Sequence, residues 1–485
     1  MPKFSNGRVS LKDSLKGCQE MNKNIYRVER DTMGEVKVPQ QAYWGAETQR
    51  AIENFPIRGI LFPGQFLRAL GMTKMASALA NMELGLLKKD LGEAISLAGK
   101  EVMEGKFNDQ FVVSIFQTGS GTSTNMNANE IIANRANEIL GGKIGDKKPV
   151  HPNDHVNMGQ SSNDVIPSCI HIAALESIQR DLLPAVASLQ RALEDKAEEF
   201  HGVIKIGRTH LQDAIPMRLG QEFSGYASMV KHGKKRVEKT EEHLSELAIG
   251  GTAIGTGINT HPRFANLVIK RINEITGLRF REAENHFEAQ GARDAIVEAS
   301  SALKTLAISL MKIANDVRLL GSGPRCGIGE IILPEVQPGS SIMPGKVNPV
   351  IPEALCQVAA QVIGNDATIT IGGTSGNLEI NVMMPVLAYN LLQSIHLLAQ
   401  GSQLFDQKCV RGLKVNEERC REMVENSLAM ATALSPYIGY DATAKIVQEA
   451  QLRRKTIKEI ALEKKIMKEE KLEEILDPQR MTGPG

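Results

Sequence analysis

The sequence predicts an all-α protein built around a bundle of long helices. Hydrophobic residues make up 42% of its 485 residues, whereas aromatic residues make up only 4%, and this mixture favours helix-on-helix packing over sheets. Between about residues 163 and 399, long segments repeat apolar side chains every three or four positions and are separated by short polar loops. A chain of this length is also expected to form several domains.

We expect three domains of different helical character. Residues 1–162 form a mixed, mainly helical domain, because Pro and Gly punctuate its opening and helical periodicity starts near Leu67. Residues 163–402 form the central helix bundle. Residues 403–485 form a small helical domain, in which interleaved charges favour a solvated face over a nucleic-acid patch.

The segment Val297–Leu320 illustrates the pattern of the bundle. Leu303, Leu306 and Leu310 are among the apolar residues that recur at intervals of three and four, with charged residues between them. A helix of ~24 residues is about 36 Å long. Several helices of this length, side by side, make a bundle.

The charge balance argues against two classes of partner. The chain has 57 Lys and Arg residues against 56 Asp and Glu residues, a formal net charge of +1. This balance gives no basic footprint for nucleic acid or for an anionic membrane. We therefore expect a small-molecule partner, with no nucleic acid and no membrane.

Cysteine usage and hydropathy predict the compartment. The six cysteines are scattered and form no C-x-x-C pair, which favours a reducing compartment. No apolar run approaches the ~18 residues that span a bilayer, so we expect a soluble cytoplasmic protein, or a mitochondrial matrix protein in a eukaryote. Residues 1 to about 24 are basic and faintly resemble an organellar transit peptide, although a frayed polar terminus is the favoured interpretation.

Four segments rich in Gly, Ser, Thr, Asn and His interrupt the helical pattern, and each is either a turn or a functional site. The first places Ser120, Gly121 and Thr122 at a predicted helix start. Hydroxyls and free amides at a helix N-terminus form an anion pocket. The G-x-G-x-x-G dinucleotide fingerprint is not matched, so we favour a functional site over a plain helix cap.

The second segment begins at His151. His151 and His155 are four residues apart, which raises the hypothesis of a metal site. Pro152 and Asn153 instead indicate a loop or a helix start, and no H-E-x-x-H motif or further cluster of ligands supports a metal. We favour hydrogen bonding to a polar ligand and expect no metal.

The third segment, residues 207–214, contains a single histidine, His210. A lone histidine is usually a structural group. Here Thr209, Gln212 and Asp213 could orient the ring and tune its pKa towards neutrality, as an acid or a base requires. The residues alone leave both interpretations open.

The fourth segment, residues 339–349, reads GSSIMPGKVNP. Ser340 and Ser341 offer hydroxyls, Lys346 a point charge and Asn348 an amide, while the two glycines permit close approach of the backbone to a ligand. Neither the phosphate-binding loop motif nor the nucleophile elbow of hydrolases is present. A loop that closes over a carboxylate fits this composition best.

Taken together, these segments resemble the fumarase and aspartase superfamily, and class II fumarase in particular. The resemblance extends from about Tyr26 to the C-terminal IGYDATAKI. It is carried by GSSIMPGKVNP, SGTSTNMNANE, HPNDHVN, GQSSND, GRTHLQDA, GGTAIGTGINTHP and SGPRCGIGEI.

The resemblance implies a three-domain fold and a homotetramer. In such proteins the long central helices of four subunits pack into one multi-helix core, and each active site is assembled from loops of three subunits. It also implies a hydro-lyase of the tricarboxylic acid cycle. The reaction is the reversible hydration of fumarate to L-malate through an aci-carboxylate intermediate, with no cofactor.

The resemblance also implies a role for individual residues. Ser340 is implied as the base that removes the carbon proton, with Lys346 facing the growing charge. His210, supported by Glu353, is implied to handle the proton of water. The implied substrate-binding residues are Ser120, Gly121, Thr122, Ser161, Ser162, Asn163, Thr209, Ser341 and Asn348. A second dicarboxylate site is implied at His151, Pro152, Asn153 and Asp154.

Three alternative functions are weighed against fumarase. Two are other enzyme activities of the superfamily, and the third is a scaffold without enzyme activity. Aspartase adds ammonia on the same scaffold, and Ser123 and the segments 350–353 and 381–385 resemble it, but His151 and His210 favour fumarase. The argininosuccinate and adenylosuccinate lyases fit less well, because they differ around Lys346. An inactive scaffold is expected to lack one of Ser340, His210 and Lys346, and all three are present.

Overall fold

The computed structural model describes residues 26–57 and 59–484, and helices dominate them. The helices are α1 (Ala46–Asn54), α2 (Gly64–Glu83), α3 (Lys89–Met103), α4 (Thr122–Ile139), α5 (Ser162–Ser177), α6 (Leu183–Glu199), α7 (Leu219–Lys239), α8 (Glu241–Leu244), α9 (Phe264–Thr276), α10 (His286–Gly291), α11 (Asp294–Leu320), α12 (Val350–Gly373), α13 (Met384–Lys408), α14 (Glu417–Asn426), α15 (Ser435–Ile438), α16 (Tyr440–Arg453), α17 (Ile457–Glu463) and α18 (Glu469–Ile475). The all-α prediction is confirmed.

The strands are short and form two-stranded sheets in the described part of the chain. They are β1 (Tyr26–Asp31), β2 (Gly34–Pro39), β3 (Ile204–Thr209), β4 (Gln212–Arg218), β5 (Glu246–Leu247), β6 (Arg281–Glu282), β7 (Ile331–Ile332), β8 (Gly376–Asn377), β9 (Ile380–Asn381) and β10 (Lys414–Val415). The pairs β1–β2, β3–β4, β7–β10 and β8–β9 are antiparallel, and β5–β6 is parallel.

The structure bears in different ways on two predictions, that of a basic N-terminal segment and that of a chain with no membrane span. The basic segment, residues 1 to about 24, lies outside the described residues. Among the residues that are described, no helix has both the length and the apolar character needed to cross a bilayer.

The chain forms two compact units, each assembled from separate stretches of sequence. The first unit takes residues up to Ala173, Ser245–Arg293 and Gly372–Tyr389; the second takes Ala174–Leu244, Asp294–Ile371 and the residues from Asn390 onward. In the first unit α2 packs against α3 and α9, and α4 packs against α1 and α3. In the second unit α7 packs between α6 and α11, and α14 packs against β3. The three domains expected from the sequence stay a prediction.

The long helix predicted at Val297–Leu320 is present as α11, which begins three residues earlier, at Asp294. Leu303, Leu306 and Leu310, three of its periodic apolar positions, are fully buried. A periodicity of three to four residues therefore corresponds to a buried face along this helix.

Glycines allow α2 and α3 to approach closely. A Cβ atom on Gly71 of α2 would lie 2.6 Å from the backbone nitrogen of Met103, and one on Gly99 of α3 would lie 3.1 Å from the backbone nitrogen of Met75. Any larger residue at Gly71 would therefore push the two helices apart.

A buried carboxylate connects α4 to the start of α1. Glu130 of α4 is 2% exposed. Its carboxylate accepts hydrogen bonds from the backbone N–H groups of Gly45 at 2.8 Å, Glu47 at 2.9 Å and Thr48 at 3.1 Å. These are N–H groups that a helix start leaves without a partner in the helix. Burial raises the pKa of Glu130 to about 7 despite these hydrogen bonds.

The raised pKa of Glu130 predicts a pH-dependent stability. In the folded chain Glu130 keeps a proton that the unfolded chain releases above a pKa of 4.5. Its contribution to the free energy of unfolding is therefore present below that pH and is lost as the pH rises through about 7. The shift corresponds to at most about 3 kcal/mol. Glu130→Gln cannot titrate, so urea unfolding between pH 4.5 and 8 should show a weaker pH dependence than in the parent.

Glu425→Gln, at an exposed position, is the matched control and should keep the pH dependence of the parent. If Glu130→Gln also kept it, Glu130 would not be the group that titrates.

Candidate active site

Two predicted polar segments meet at the starts of two helices in the first unit. Thr122 begins α4 and Ser162 begins α5. The hydroxyl oxygen of Thr122 lies 2.8 Å from that of Ser120 and 2.7 Å from that of Ser162. The three hydroxyls therefore form one continuous hydrogen-bonded cluster, in which the N-termini of both helices favour negative charge.

The first segment depends on glycine. Gly121 precedes α4 with φ at +74°, a left-handed conformation that favours glycine. At Gly119 a Cβ atom would lie 1.8 Å from the carbonyl oxygen of Val382, and the backbone N–H of Met384 donates to the Gly119 carbonyl at 3.0 Å. The loop is thus held against the residues just before α13.

The second segment is organised by Asp164, which is fully buried. Its carboxylate accepts hydrogen bonds from the backbone N–H groups of Ser161 at 2.9 Å, Gly250 at 3.0 Å and Thr252 at 2.9 Å. Burial raises the pKa of Asp164 to about 6, against the lowering effect of these hydrogen bonds. Asn163 also donates to the Ala253 carbonyl at 2.8 Å, so the segment at residues 250–253 fixes the loop at Ser161.

A buried lysine lies behind both segments. Lys74 of α2 is fully buried, and its ammonium donates to Asn157 Oδ1 at 2.9 Å and to Gln160 Oε1 at 3.0 Å. The side-chain amides of Asn125 and Asn129 of α4 donate to the same Asn157 oxygen, both at 3.2 Å. Burial lowers the pKa of Lys74 to about 7. Neither Lys74 nor Asp164 is predicted as a site residue from the sequence: Lys74 resembles a surface residue in a helical pattern, and nothing in the polar segment GQSSND shows that Asp164 is buried.

The His151 segment forms a tight turn in the first unit. His151 Nδ1 accepts from the backbone N–H groups of Asn153 and Asp154, both at 3.2 Å. In that arrangement Nδ1 is an acceptor, so a neutral ring carries its proton on Nε2. The side chain of Asn153 donates to Glu47 at 3.4 Å. Among the described residues, no group of three His, Cys, Asp or Glu side chains is arranged to hold a metal ion.

His210 lies at the tip of the β3–β4 hairpin in the second unit. Thr209 pairs with Gln212, so His210 and Leu211 form a two-residue turn, and their φ values are +55° and +61°. Two positive φ values define a type I′ turn, for which Asn-Gly is preferred. Non-glycine residues in this conformation cost about 1–2 kcal/mol each, and such strain is concentrated at functional sites.

The base of the hairpin is fixed by a buried ionic cluster. Glu330 is fully buried. It accepts two hydrogen bonds from Arg208, at 3.0 and 3.1 Å, and lies 3.0 Å from the ammonium of Lys205. The position of Asp213 differs from the expectation that it orients His210, because its carboxylate accepts instead from the Ser427 hydroxyl at 3.2 Å.

The Ser340 loop is closed by its own backbone. Ser340 Oγ accepts from the backbone N–H groups of Ile342 at 3.2 Å and Met343 at 3.0 Å. The N–H of Gly339 donates to the Lys346 carbonyl at 2.8 Å, and the Asn348 side chain donates to the Gly339 carbonyl at 2.6 Å. Ser340 and Lys346 line one cavity of about 460 Å³, while Ser341 is exposed.

Glu353 follows this loop, in the first turn of α12, and is half-buried. No hydrogen bond or ion pair of the second unit's described residues joins Glu353 to His210, or either of them to Ser340. The structure therefore brings together Thr122 with Ser162, and Ser340 with Lys346. The support of His210 by Glu353 stays a prediction.

Comparison with known proteins identifies the family. The model of a family described as "Lyase" matches residues 34–364, and one described as "Fumarase C C-terminus" matches residues 430–483. The "Fumarate hydratase class II" of Halobacterium salinarum is 56% identical over 95% of this chain and 98% of that protein. The chain belongs to the class II fumarate hydratase family.

One further relative and two solved structures extend this result. The protein of Nitrosomonas europaea is 51% identical over 94% of this chain and 99% of its own length. The crystal structure of class II fumarase from Schistosoma mansoni matches with a TM-score of 0.92 at 41% identity, over 95% of this chain and all of that one. A fumarate lyase:delta crystallin from Brucella melitensis, bound to cobalt, gives 0.90 at 46% identity, with the same shares. The predicted family and fold are confirmed.

The close approach at Gly119 predicts a strong effect of a single methyl group. In Gly119→Ala the new Cβ would lie 1.8 Å from the Val382 carbonyl oxygen, so one segment must move. We expect a loss of at least about 2 kcal/mol in the free energy of unfolding, measured by urea titration.

Gly225→Ala is the matched control. Gly225 lies inside α7, and no heavy atom is within 4 Å of its would-be Cβ. This variant should be neutral or up to about 1 kcal/mol more stable. Equal stability of the two variants would contradict the close approach of Gly119 and Val382.

Proposed function

We propose that the chain is a fumarate hydratase that adds water reversibly to fumarate to give L-malate. The observation that carries the proposal is the position of Ser340, whose oxygen accepts two backbone N–H groups in the loop that also holds Lys346. A serine can act as a base only as an alkoxide, and two N–H groups with a nearby ammonium stabilise that charge. Membership of the class II fumarate hydratase family supports the same reaction.

The chemistry requires removal of a proton from the carbon next to a carboxylate. In the direction from malate, Ser340 takes this proton, and a second negative charge develops on that carboxylate. Lys346 faces this charge, and Asn348 and Ser341 hold the substrate beside it. Donors that are already in place stabilise the charge without reorganisation during the reaction.

His210 handles the proton of the departing or adding water, with Glu353 as its partner. The substrate dianion is bound by the hydroxyl cluster at the two helix starts. The proposed binding residues are Ser120, Gly121, Thr122, Ser161, Ser162, Asn163, Thr209, Ser341 and Asn348. The proposed enzyme uses no metal and no organic cofactor.

A homotetramer would bring these groups together. His210, Glu353 and the Ser340 loop make no hydrogen bond or ion pair with one another among the described residues of the second unit, and the proposed site is assembled from loops of three subunits. We also propose a second dicarboxylate site at His151, Pro152, Asn153 and Asp154.

We propose a cytoplasmic enzyme of the tricarboxylic acid cycle, or one of the mitochondrial matrix, since a relative from Schizosaccharomyces pombe is named "Fumarate hydratase, mitochondrial".

Aspartase is the alternative on the same scaffold, and the relatives reported above, which are named fumarate hydratases, do not favour it. A single assay separates the two activities. The absorbance of fumarate should fall on hydration without ammonium, and the product should be malate. Consumption of fumarate only in the presence of ammonium, with aspartate as product, would contradict the proposal.

Removal of the proposed base or of its cation should abolish turnover. Ser340→Ala and Lys346→Ala should each lower kcat by at least about 100-fold, the scale typical of losing a proton-transfer or charge-stabilising group. Light scattering should still show a tetramer. Ser224→Ala and Lys458→Ala, at exposed positions, are the matched controls and should keep full activity. Activity near that of the parent in either Ser340→Ala or Lys346→Ala would refute the assignment.

The two histidine segments should respond differently to the same change. Asparagine adopts positive φ readily, so His210→Asn should keep the hairpin, but an amide cannot relay a proton and kcat should fall by about 100-fold or more. His151→Asn should change kcat less than about threefold at saturating fumarate, because one hydrogen-bonding side chain replaces another. A collapse of kcat in His151→Asn would show that the main site includes His151.

A further inference from the structure

We propose that the C-terminal segment, residues 416–482, positions His210 by holding the strained hairpin at whose tip it lies. We call this segment the C-terminal clamp. The inference rests on the proposed function, because it assigns the clamp a role in the reaction of His210. The clamp residues are positioning residues, since none of them is placed against the substrate.

The hairpin tip cannot hold its own conformation. His210 and Leu211 both have positive φ values, of +55° and +61°. The Leu211 side chain is 73% exposed, and no hydrogen bond among the described residues reaches the His210 ring. A strained conformation persists only where the surrounding structure over-determines it. The restraint must therefore act through β3 and β4.

The clamp holds β3 by apolar packing. Ile206 of β3 is 1% exposed and belongs to a hydrophobic cluster whose other buried members all lie in the clamp. Val424 of α14, Leu434 and Ile460 are among them. This packing fixes the strand four residues before His210.

The clamp holds β4 and the start of α7 by hydrogen bonds. The Ser427 hydroxyl donates to Asp213 at 3.2 Å, three residues after His210. The Gln221 side chain donates to the Thr482 carbonyl at 2.8 Å. Both strands of the hairpin are therefore attached to the same segment of the chain.

The clamp also borders the ionic cluster at the hairpin base. The backbone N–H of Asn416 donates to the Glu330 carbonyl at 2.9 Å, and the sulfur of Met423 lies 3.2 Å from the Arg208 guanidinium. Arg208 is two residues before His210. The direction of the Arg208 side chain is thus fixed by Glu330 and by the clamp together.

A double-mutant cycle tests the inference. Ser427→Ala removes the hydroxyl that holds Asp213, and kcat for fumarate hydration should fall about three- to tenfold, as for a lost hydrogen bond, with KM nearly unchanged. Leu211→Gly removes the strain at one turn position, because glycine adopts positive φ freely. In the Leu211→Gly background, Ser427→Ala should therefore cost less than about twofold. A purely structural role of Ser427 would give the same loss in both backgrounds.

Two further variants keep the test decisive. Val424→Ala weakens the packing on β3 and should show the same dependence on background as Ser427→Ala. Thr456→Ala removes a clamp hydroxyl whose described hydrogen bonds are to Glu459, so it should lower stability but keep kcat. The inference is overturned if Ser427→Ala and Val424→Ala both keep the kcat of the parent, if their losses are equal in both backgrounds, or if Thr456→Ala loses as much.

Hydrogen exchange separates failure of this inference from failure of the proposed function. If the parent does not hydrate fumarate, the proposed function fails. The clamp is then judged by amide exchange in residues 204–218, measured by mass spectrometry. Exchange should be faster in Ser427→Ala than in the parent, and slower in Ser427→Ala with Leu211→Gly than in Ser427→Ala alone. Unchanged exchange in Ser427→Ala would overturn the clamp without reference to activity.

Discussion

The buried carboxylate of Asp164 is the interaction on which the first unit's part of the candidate site depends. It gathers three backbone N–H groups, one from the loop at Ser161 and two from the segment at Gly250 and Thr252. A buried acceptor of this kind is costly unless it is satisfied, so the two segments cannot separate without a large penalty. The Thr122–Ser162 contact follows from this restraint, since Ser162 is two residues from Asp164.

In the second unit, Glu330 is likewise a buried carboxylate that is satisfied by several donors. Its fully buried carboxylate is satisfied by Arg208 and Lys205 of β3. Removing one partner of such a buried group leaves an uncompensated charge and is far more costly than breaking a surface ion pair. In each unit, therefore, a single buried acid holds separate backbone segments together: Asp164 holds the Ser161 loop against residues 250–252, and Glu330 holds the base of the hairpin that carries His210.

The sequence predicted the elements with strong patterns and missed those without them. α11 was predicted within three residues of its start, because its apolar period is sustained over its length. The polar segments at Ser120, Ser162, His210 and Ser340 stood out because Gly, Ser, Thr and Asn are dense there. The β3–β4 hairpin was not predicted, since its strands are short and its turn, His210-Leu211, lacks the usual Asn-Gly signal.

The misses within the site have a common cause. Lys74 and Asp164 gain their roles from burial, which a single sequence does not reveal, and the pairing of Asp213 with Ser427 joins residues more than 200 positions apart. The expectation that loops of three subunits assemble each site likewise comes from the resemblance to a family, and no pattern in the residues indicates it.

The Ser340 loop differs from the other parts of the site in how it is held. Apart from the bond from the Val350 N–H at the start of α12 to the Asn348 carbonyl, the hydrogen bonds described for residues 339–348 run within the loop itself, and Ile342 is 83% exposed. Segments with few buried contacts are those that open at low free-energy cost. Within the second unit, therefore, the β3–β4 hairpin is held from outside by the C-terminal clamp, whereas the Ser340 loop is held mainly by its own hydrogen bonds. In the proposed mechanism, such a loop would carry Ser340 and Lys346 to the substrate with its internal hydrogen bonds intact, so the two N–H groups on Ser340 Oγ would stay in place.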